Sequence, residues 1–229
     1  CAMPRSRKAG QAVTNLLLIL LIVLLYIGTA EPQTISVSAP VYRGSAKDAV
    51  ALQFAVSWNA AALPAILDTL KAQGTCVTFA VSGSWAEENP ALARRMAEEG
   101  HELATMGYAP EQDGKLSWVQ EDLAASVTAI EAAAGVRPVL YYSGERGVSV
   151  SARAAKKLGL TQVLCTVDLL CARGEAEDIV ARVSDAPIPG SIMLLQPTGA
   201  AAEALERVLL ALQEKGIRPT TTSRVLGRE

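Results

Sequence analysis

Histidine is almost absent: the 229 residues hold only one, His101. A single imidazole excludes any hydrolytic metal site built on two histidines and a carboxylate. It also leaves the hydroxyls of Ser57 and Ser143 without an evident general base nearby. Aromatic residues are scarce at 4%, whereas hydrophobic residues make up 50%. Such an Ala/Leu/Val-rich composition suits a layered α/β protein rather than a disordered or fibrous one. Cysteine is sparse too. Cys76, Cys165 and Cys171 match no zinc-ligand spacing, and Cys76 and Cys165 are expected as small buried hydrophobes inside strands. Nor is there an excess of positive charge. The net charge is −2, and setting aside Arg5, Arg7 and Lys8 leaves −5 from residue 31 onward. That balance offers no long-range attraction for nucleic acid or for anionic wall polymers.

What is present begins with an apolar run from Leu16 to Ile27, extended without charge to Ala30. Residues 16–30 therefore read as a transmembrane anchor, or as a signal segment cut near Gly28-Thr29-Ala30. The basic stretch 1–15 keeps its own end cytoplasmic and sends the remainder across. The expected location is the cell membrane, single-pass with the domain outside; secretion after cleavage is the alternative. Residues 31–47, with Pro32 and Pro40, read as a linker, and residues 48–229 as one domain.

Within that domain apolar strands alternate with amphipathic helices. Strands are expected near 50–56, 76–81, 103, 139–142, 161–167, 192–195 and 217. Helices are expected over 63–73, 90–99 with Asn89 as its cap, 151–158, 175–183 and a last one stopped by Gly216. A further helix has a capping box in Ser117-Trp118-Val119-Gln120 and repeats Val119, Leu123, Val127 and Ile130 at helical spacing. Roughly seven strands hydrophobic on both faces, each followed by a helix, describe a parallel sheet covered by helices. Periodicity fits a doubly wound sheet as well as a (β/α) barrel. In a barrel the working residues leave the C-terminal ends of the strands. That rule selects Ser57, Trp58, Met106, Tyr108, Tyr142, Asp168 and Gln196 as candidate pocket residues, with Ser143, Glu145, Arg146 and Cys171 beside them.

Two stretches, Gly83-Ser84-Trp85-Ala86-Glu87-Glu88-Asn89-Pro90 and Gly100-His101-Glu102-Leu103-Ala104-Thr105-Met106-Gly107-Tyr108, resemble the polysaccharide deacetylase (NodB-homology) family. The resemblance extends from about Lys47 to Leu226. It implies a distorted, incomplete (β/α) barrel of about seven parallel strands and metal-dependent removal of acetyl groups from cell-wall sugars. Position by position, the family's chemistry is missing. Its first-strand Thr-Phe-Asp-Asp corresponds to Gln53-Phe54-Ala55-Val56, and its histidine pair falls on Met106 and Pro110. Its Arg-Pro-Pro-Tyr-Gly begins at Tyr142, and its late Leu-Leu-His is Leu194-Leu195-Gln196. Only Asp168 remains of its later acidic stretch.

A sporulation-associated subgroup (PdaB-like) is similar in more detail, through Lys47-Asp48, Ser57-Trp58, Ser84-Trp85-Ala86-Glu87 and Met106-Gly107-Tyr108. The resemblance implies peptidoglycan or a related wall glycan as partner, the membrane as a second one through the N-terminal helix, and no nucleic acid. With no metal ligand and no catalytic residue in place, no cofactor is expected. The reading is an inactive glycan-binding or scaffolding member of the family. The alternatives are an active N-deacetylase with a rebuilt site, using Glu145 or Asp168 as base, and a structural partner in a membrane complex. An alternative metal set of Glu145, Asp168 and Cys171 has no spacing to support it. Trp58 and Tyr108 are read either as a sugar platform or as lid packing. Tyr142 is read as filling the volume of the vacated metal site, and His101 as structural.

Overall fold

The computed structural model describes residues 15–21, 39–58, 61–185 and 188–228. The chain divides into two compact units, Cys1–Ser36 and Val37–Glu229. In the first, residues 15–21 are helical, and Leu16 to Leu21 are all more than half exposed. Among the described residues no helix is long and apolar enough to cross a membrane. Most of the apolar segment 16–30 lies outside them.

The second unit is an α/β half-barrel. Its first strand, β1 (Ala49–Val56), is buried on both faces, and the two faces differ. Val50, Leu52, Phe54 and Val56 join the large core beneath the helices. Ala49, Ala51 and Ala55 point the other way, into the barrel interior. Small side chains belong on that face because a tightly curved sheet leaves little room inside. Helix α1 (Leu63–Ala72) covers the outer face with Leu63, Ile66, Leu67 and Leu70, one stripe at helical spacing. It is followed by β2 (Thr78–Val81), α2 (Gly83–Glu88), α3 (Pro90–Glu98) and β3 (Glu102–Thr105). The long α4 (Leu116–Ala134) leads to β4 (Leu140–Tyr142), α5 (Val148–Lys157), β5 (Thr161–Val163) and β6 (Val167–Asp168). Then come α6 (Ala176–Asp185), β7 (Ile192–Leu195), α7 (Gly199–Glu214), β8 (Arg218–Thr220) and α8 (Thr222–Val225).

All strand pairs are parallel, in the order β5-β4-β3-β2-β1-β7-β6, with β8 pairing the start of β1 off that path. This is the incomplete barrel of seven strands expected from the sequence, with an eighth short strand at its base. It excludes the doubly wound alternative. One expected strand is in fact two. The run Thr161–Val167 divides into β5, paired with β4, and β6, paired with β7, at opposite edges of the sheet. Residues 164–166 cross the open side between them. A second strand of chain crosses the same gap: Val41 N–H donates to Gln162 O at 2.9 Å, and Leu164 N–H donates to Val41 O at 2.9 Å. Arg43 bridges Ser191 antiparallel. Hence residues 41–46, read as part of the linker, are hydrogen-bonded into the domain.

Other differences are local. Cys76 and Cys165 lie outside the strands and are half-buried rather than buried. The capping box at Ser117 does not form, because α4 starts two residues earlier, after Lys115, with no side-chain cap. Asn89 precedes α3 but its side chain donates back to Trp85 O at 3.0 Å instead of capping. Two short helices, α2 and α8, were not expected; α2 has a true cap in Ser82, whose hydroxyl accepts from Trp85 N–H at 3.2 Å.

The base of the barrel is closed by α8 through a polar network. Thr78 Oγ1 donates to Glu102 Oε2 at 2.6 Å and accepts from Thr222 N–H at 2.7 Å. Ser223 N–H donates to the same Glu102 oxygen at 3.1 Å. Thr222 Oγ1 donates to Gln53 Oε1 at 3.2 Å. The N-terminal turn of α8 thus has an anionic partner for its free N–H groups.

His101 sits at this end too, and it is structural. Its Nδ1 accepts from Val77 N–H at 3.2 Å, and its ring stands edge-on to Phe79 at 5.1 Å. Nδ1 is therefore the unprotonated nitrogen. Burial lowers the imidazole below its ordinary value of 6.5. The unfolded chain then binds a proton that the folded one resists, so stability should be full above about 6.5 and fall as pH drops below it. We expect the melting temperature to decline on acidification through this window. His101→Asn, which can still accept from Val77, should flatten that part of the profile, and an unchanged profile would count against the assignment.

Candidate functional site

The candidate pocket lies where β1, β3, β4, β6 and β7 end. Its floor is apolar. Ala55, Met106, Tyr142, Ala80, Ala104 and Leu194 belong to one interior cluster, with Met106 and Tyr142 each 8% exposed. Tyr142 is thus a buried member of the interior cluster. Burial first, and then the charges of Cys165, Asp168 and Glu145, raise its phenol well above the ordinary range. The hydroxyl therefore stays protonated at neutral pH.

Around that floor the structure gathers Cys165, Asp168, Cys171 and Gln196. Asp168 bears electrostatically on Tyr142, Cys165 and Cys171 alike. One of its oxygens is already committed, since Oδ1 accepts from Leu170 N–H at 2.8 Å. That bond holds the turn in which Leu170 takes a positive φ of 53°. Burial pushes the Cys171 thiol up to about 11, so at neutral pH it is a hydrophobic filler and not a nucleophile. Gln196 is half-buried, and its Oε1 has no hydrogen-bond partner among the described residues.

The two aromatic candidates part company. Trp58 is 68% exposed at the end of β1, next to half-buried Ser57. Tyr108 is turned away towards α2: its hydroxyl donates to Glu87 Oε2 at 2.8 Å, and its ring packs against Gly83. Trp58 is the more exposed of the two.

The sequence reading missed what shapes this mouth most. Arg146, in the loop after β4, is buried against Asp122 on α4, the two side chains being 2% and 4% exposed. Arg146 Nη1 donates to Asp122 Oδ2 at 2.6 Å, and Nε donates to Gln112 O at 2.8 Å. Nη2 donates to Ala109 O, while Asp122 Oδ1 accepts from Ala109 N–H at 2.8 Å. The guanidinium also lies over the Trp118 ring at 5.3 Å. Together these contacts clamp the loop 107–114, which carries Pro110. Gly107 is obligatory there: its φ is 93°, and a Cβ would collide with both members of the ion pair. A signal was available in the sequence. Asp122 and Ser126 fall on the same stripe as Val119, Leu123 and Val127, and a carboxylate on a buried stripe needs a cation.

The residues present do not fit a divalent metal. Ala55, Met106 and Pro110 carry no donor of the kind zinc takes, and His101 lies at the other end of β3. Among the described residues no group of three or more His, Cys, Asp or Glu could hold such an ion. Glu145 is exposed and does not join Asp168 and Cys171 in one.

Comparison with other proteins agrees with this geometry. The sequence pattern of the polysaccharide deacetylase family matches residues 43–163. The chain is 29% identical over 194 residues to the uncharacterized protein YlxY of Bacillus subtilis (strain 168), covering 82% of this chain and 60% of YlxY. It is 26% identical over 199 residues to the peptidoglycan-N-acetylglucosamine deacetylase PgdA of Listeria monocytogenes, covering 85% of this chain and 42% of PgdA. It thus spans about half the length of these curated relatives. Among solved structures, BA3943 of Bacillus anthracis, a CE4 family pseudoenzyme, superposes with a TM-score of 0.78 at 28% identity, over 82% of this chain and 69% of that one. A half-barrel with this strand order and a family pattern matched over more than half its length leave one assignment: the chain belongs to the polysaccharide deacetylase family.

Proposed function

We propose that this protein is a membrane-anchored, extracytoplasmic member of the family that has lost hydrolysis and serves as a glycan-binding or scaffolding domain at peptidoglycan. The observation that carries the reading is the apolar floor, where Ala55, Met106 and Tyr142 pack together at the positions the family gives to a base, a metal ligand and an orienting arginine. A hydrolytic water needs a cation or a base to lose its proton; the family's own donors are replaced here, and Asp168, the carboxylate that remains, has Oδ1 tied to Leu170 N–H. The resemblance to BA3943, a family pseudoenzyme, supports the same reading. The likeness to PgdA supports peptidoglycan as the glycan. The elements shared with the sporulation-associated subgroup support spore formation as the setting, and the apolar run 16–30 supports the anchor.

The full chain, incubated with N-acetylglucosamine oligomers or peptidoglycan and added zinc or cobalt, should release no acetate while being retained on purified wall sacculi. Trp58→Ala should weaken retention roughly fivefold or more, as loss of an exposed aromatic anchor does. Metal-dependent acetate release would refute the loss of hydrolysis. Absence of retention would leave a purely structural partner role instead.

A further inference from the structure

The N-terminal end of the barrel, opposite the candidate pocket, concentrates positive charge. Three neighbouring clefts of about 480, 410 and 190 Å³ open there. Arg218 and Arg224 line the first and third, and Arg43 and Arg228 line the second. All four arginines are exposed. Among the described residues, the one carboxylate lining any of the three clefts is Asp48, which pairs with Arg218 at 2.8 Å. Arg43 donates to Pro189 O at 2.7 Å, and Arg228 donates to Thr161 Oγ1. Those neutral acceptors orient the guanidinium groups without cancelling their charge. A chain that is net negative from residue 31 onward has therefore gathered a positive surface from two segments far apart in sequence.

The described segment that follows the apolar run in sequence lines this end as well. Val41, Arg43, Gly44 and Ser45 line the second cleft. Only eight residues, 31–38, separate Ala30 from Ala39, a contour of at most ~32 Å. We propose that this arginine-lined end docks on an anionic lipid surface, its guanidinium groups engaging headgroup phosphates in bidentate fashion. The inference rests on the reading of residues 16–30 as an anchor. Docking would turn the candidate pocket outward, away from the bilayer and towards the wall.

The test is backbone hydrogen exchange of the full chain on neutral phosphatidylcholine vesicles and on vesicles also carrying phosphatidylglycerol. Each basic residue near an anionic surface contributes about fivefold in local affinity. Peptides covering 41–46 and 218–228 should exchange at least ~fivefold more slowly on the anionic vesicles. The difference should vanish in high salt and in Arg224→Glu/Arg228→Glu. Equal exchange on both vesicle types overturns the proposal. So does equal protection by a phosphate-backbone wall polymer without vesicles, which would assign the surface to that polymer. The anchor is read separately, by salt-resistant flotation with neutral vesicles. A chain that fails to float there but is protected on anionic vesicles keeps the arginine surface and loses the anchor.

Discussion

Arg146→Ala is expected to cost about 3–5 kcal/mol of folding stability, the cost of leaving one member of a buried ion pair alone. For a chain of this size that corresponds to a melting temperature lower by roughly 6–20 °C. The cost is large because the guanidinium does more than neutralise Asp122. It also satisfies the carbonyls of Gln112 and Ala109, and its face covers Trp118. Truncation leaves a carboxylate without its cation at 4% exposure and strips two carbonyls of their donor. The loop 107–114 should then become the preferred site of proteolytic nicking. Arg146→Met combined with Asp122→Leu removes both charges and should be less damaging than the single change. Denaturation of the parent and the two variants checks this; a single variant within about 1 kcal/mol of the parent would show that the clamp is not what holds the loop.

The second large effect concerns metal. Ala55→Asp, Met106→His and Pro110→His together return a carboxylate and two imidazoles to the positions the family uses. Without metal the triple variant should be less stable than the parent by about 2–4 kcal/mol, since polar groups enter an apolar floor unpaired. Zinc should then restore stability in proportion to its binding, by about 4 kcal/mol at a thousandfold excess over the dissociation constant. The parent should show no zinc-dependent change in melting temperature. Tyr142 occupies the same interior, so adding Tyr142→Ala should strengthen zinc binding by making room for water at the ion. Calorimetry and elemental analysis decide the matter. Equal zinc content in the parent and the triple variant would mean that the missing donors are not what keeps metal out.

These predictions draw on different levels of the molecule. The loss of the metal donors was legible in the chain itself, because a coordination set is a matter of which atoms exist. One histidine cannot become two by folding. The parallel architecture was also legible, in strands apolar on both faces and helices with a single stripe such as Leu63, Ile66, Leu67 and Leu70. The resemblance then narrowed the sheet to a barrel. Helix starts were read less well: Ser117 and Asn89 have capping side chains that the backbone geometry does not use.

What the chain order alone determined is therefore chemical inventory and local periodicity: which donors are missing, and which stretches bury a face. The tertiary structure alone decided which distant residues meet. It split Thr161–Val167 between two sheet edges, joined Arg146 to Asp122, turned Tyr108 towards Glu87, and drew Arg43 beside Arg228. Net charge summed over the sequence hid that last grouping, because a sum carries no position. Pairings of this kind depend on how helices and strands pack across long stretches of chain, and packing is a property of the whole domain rather than of any window along it.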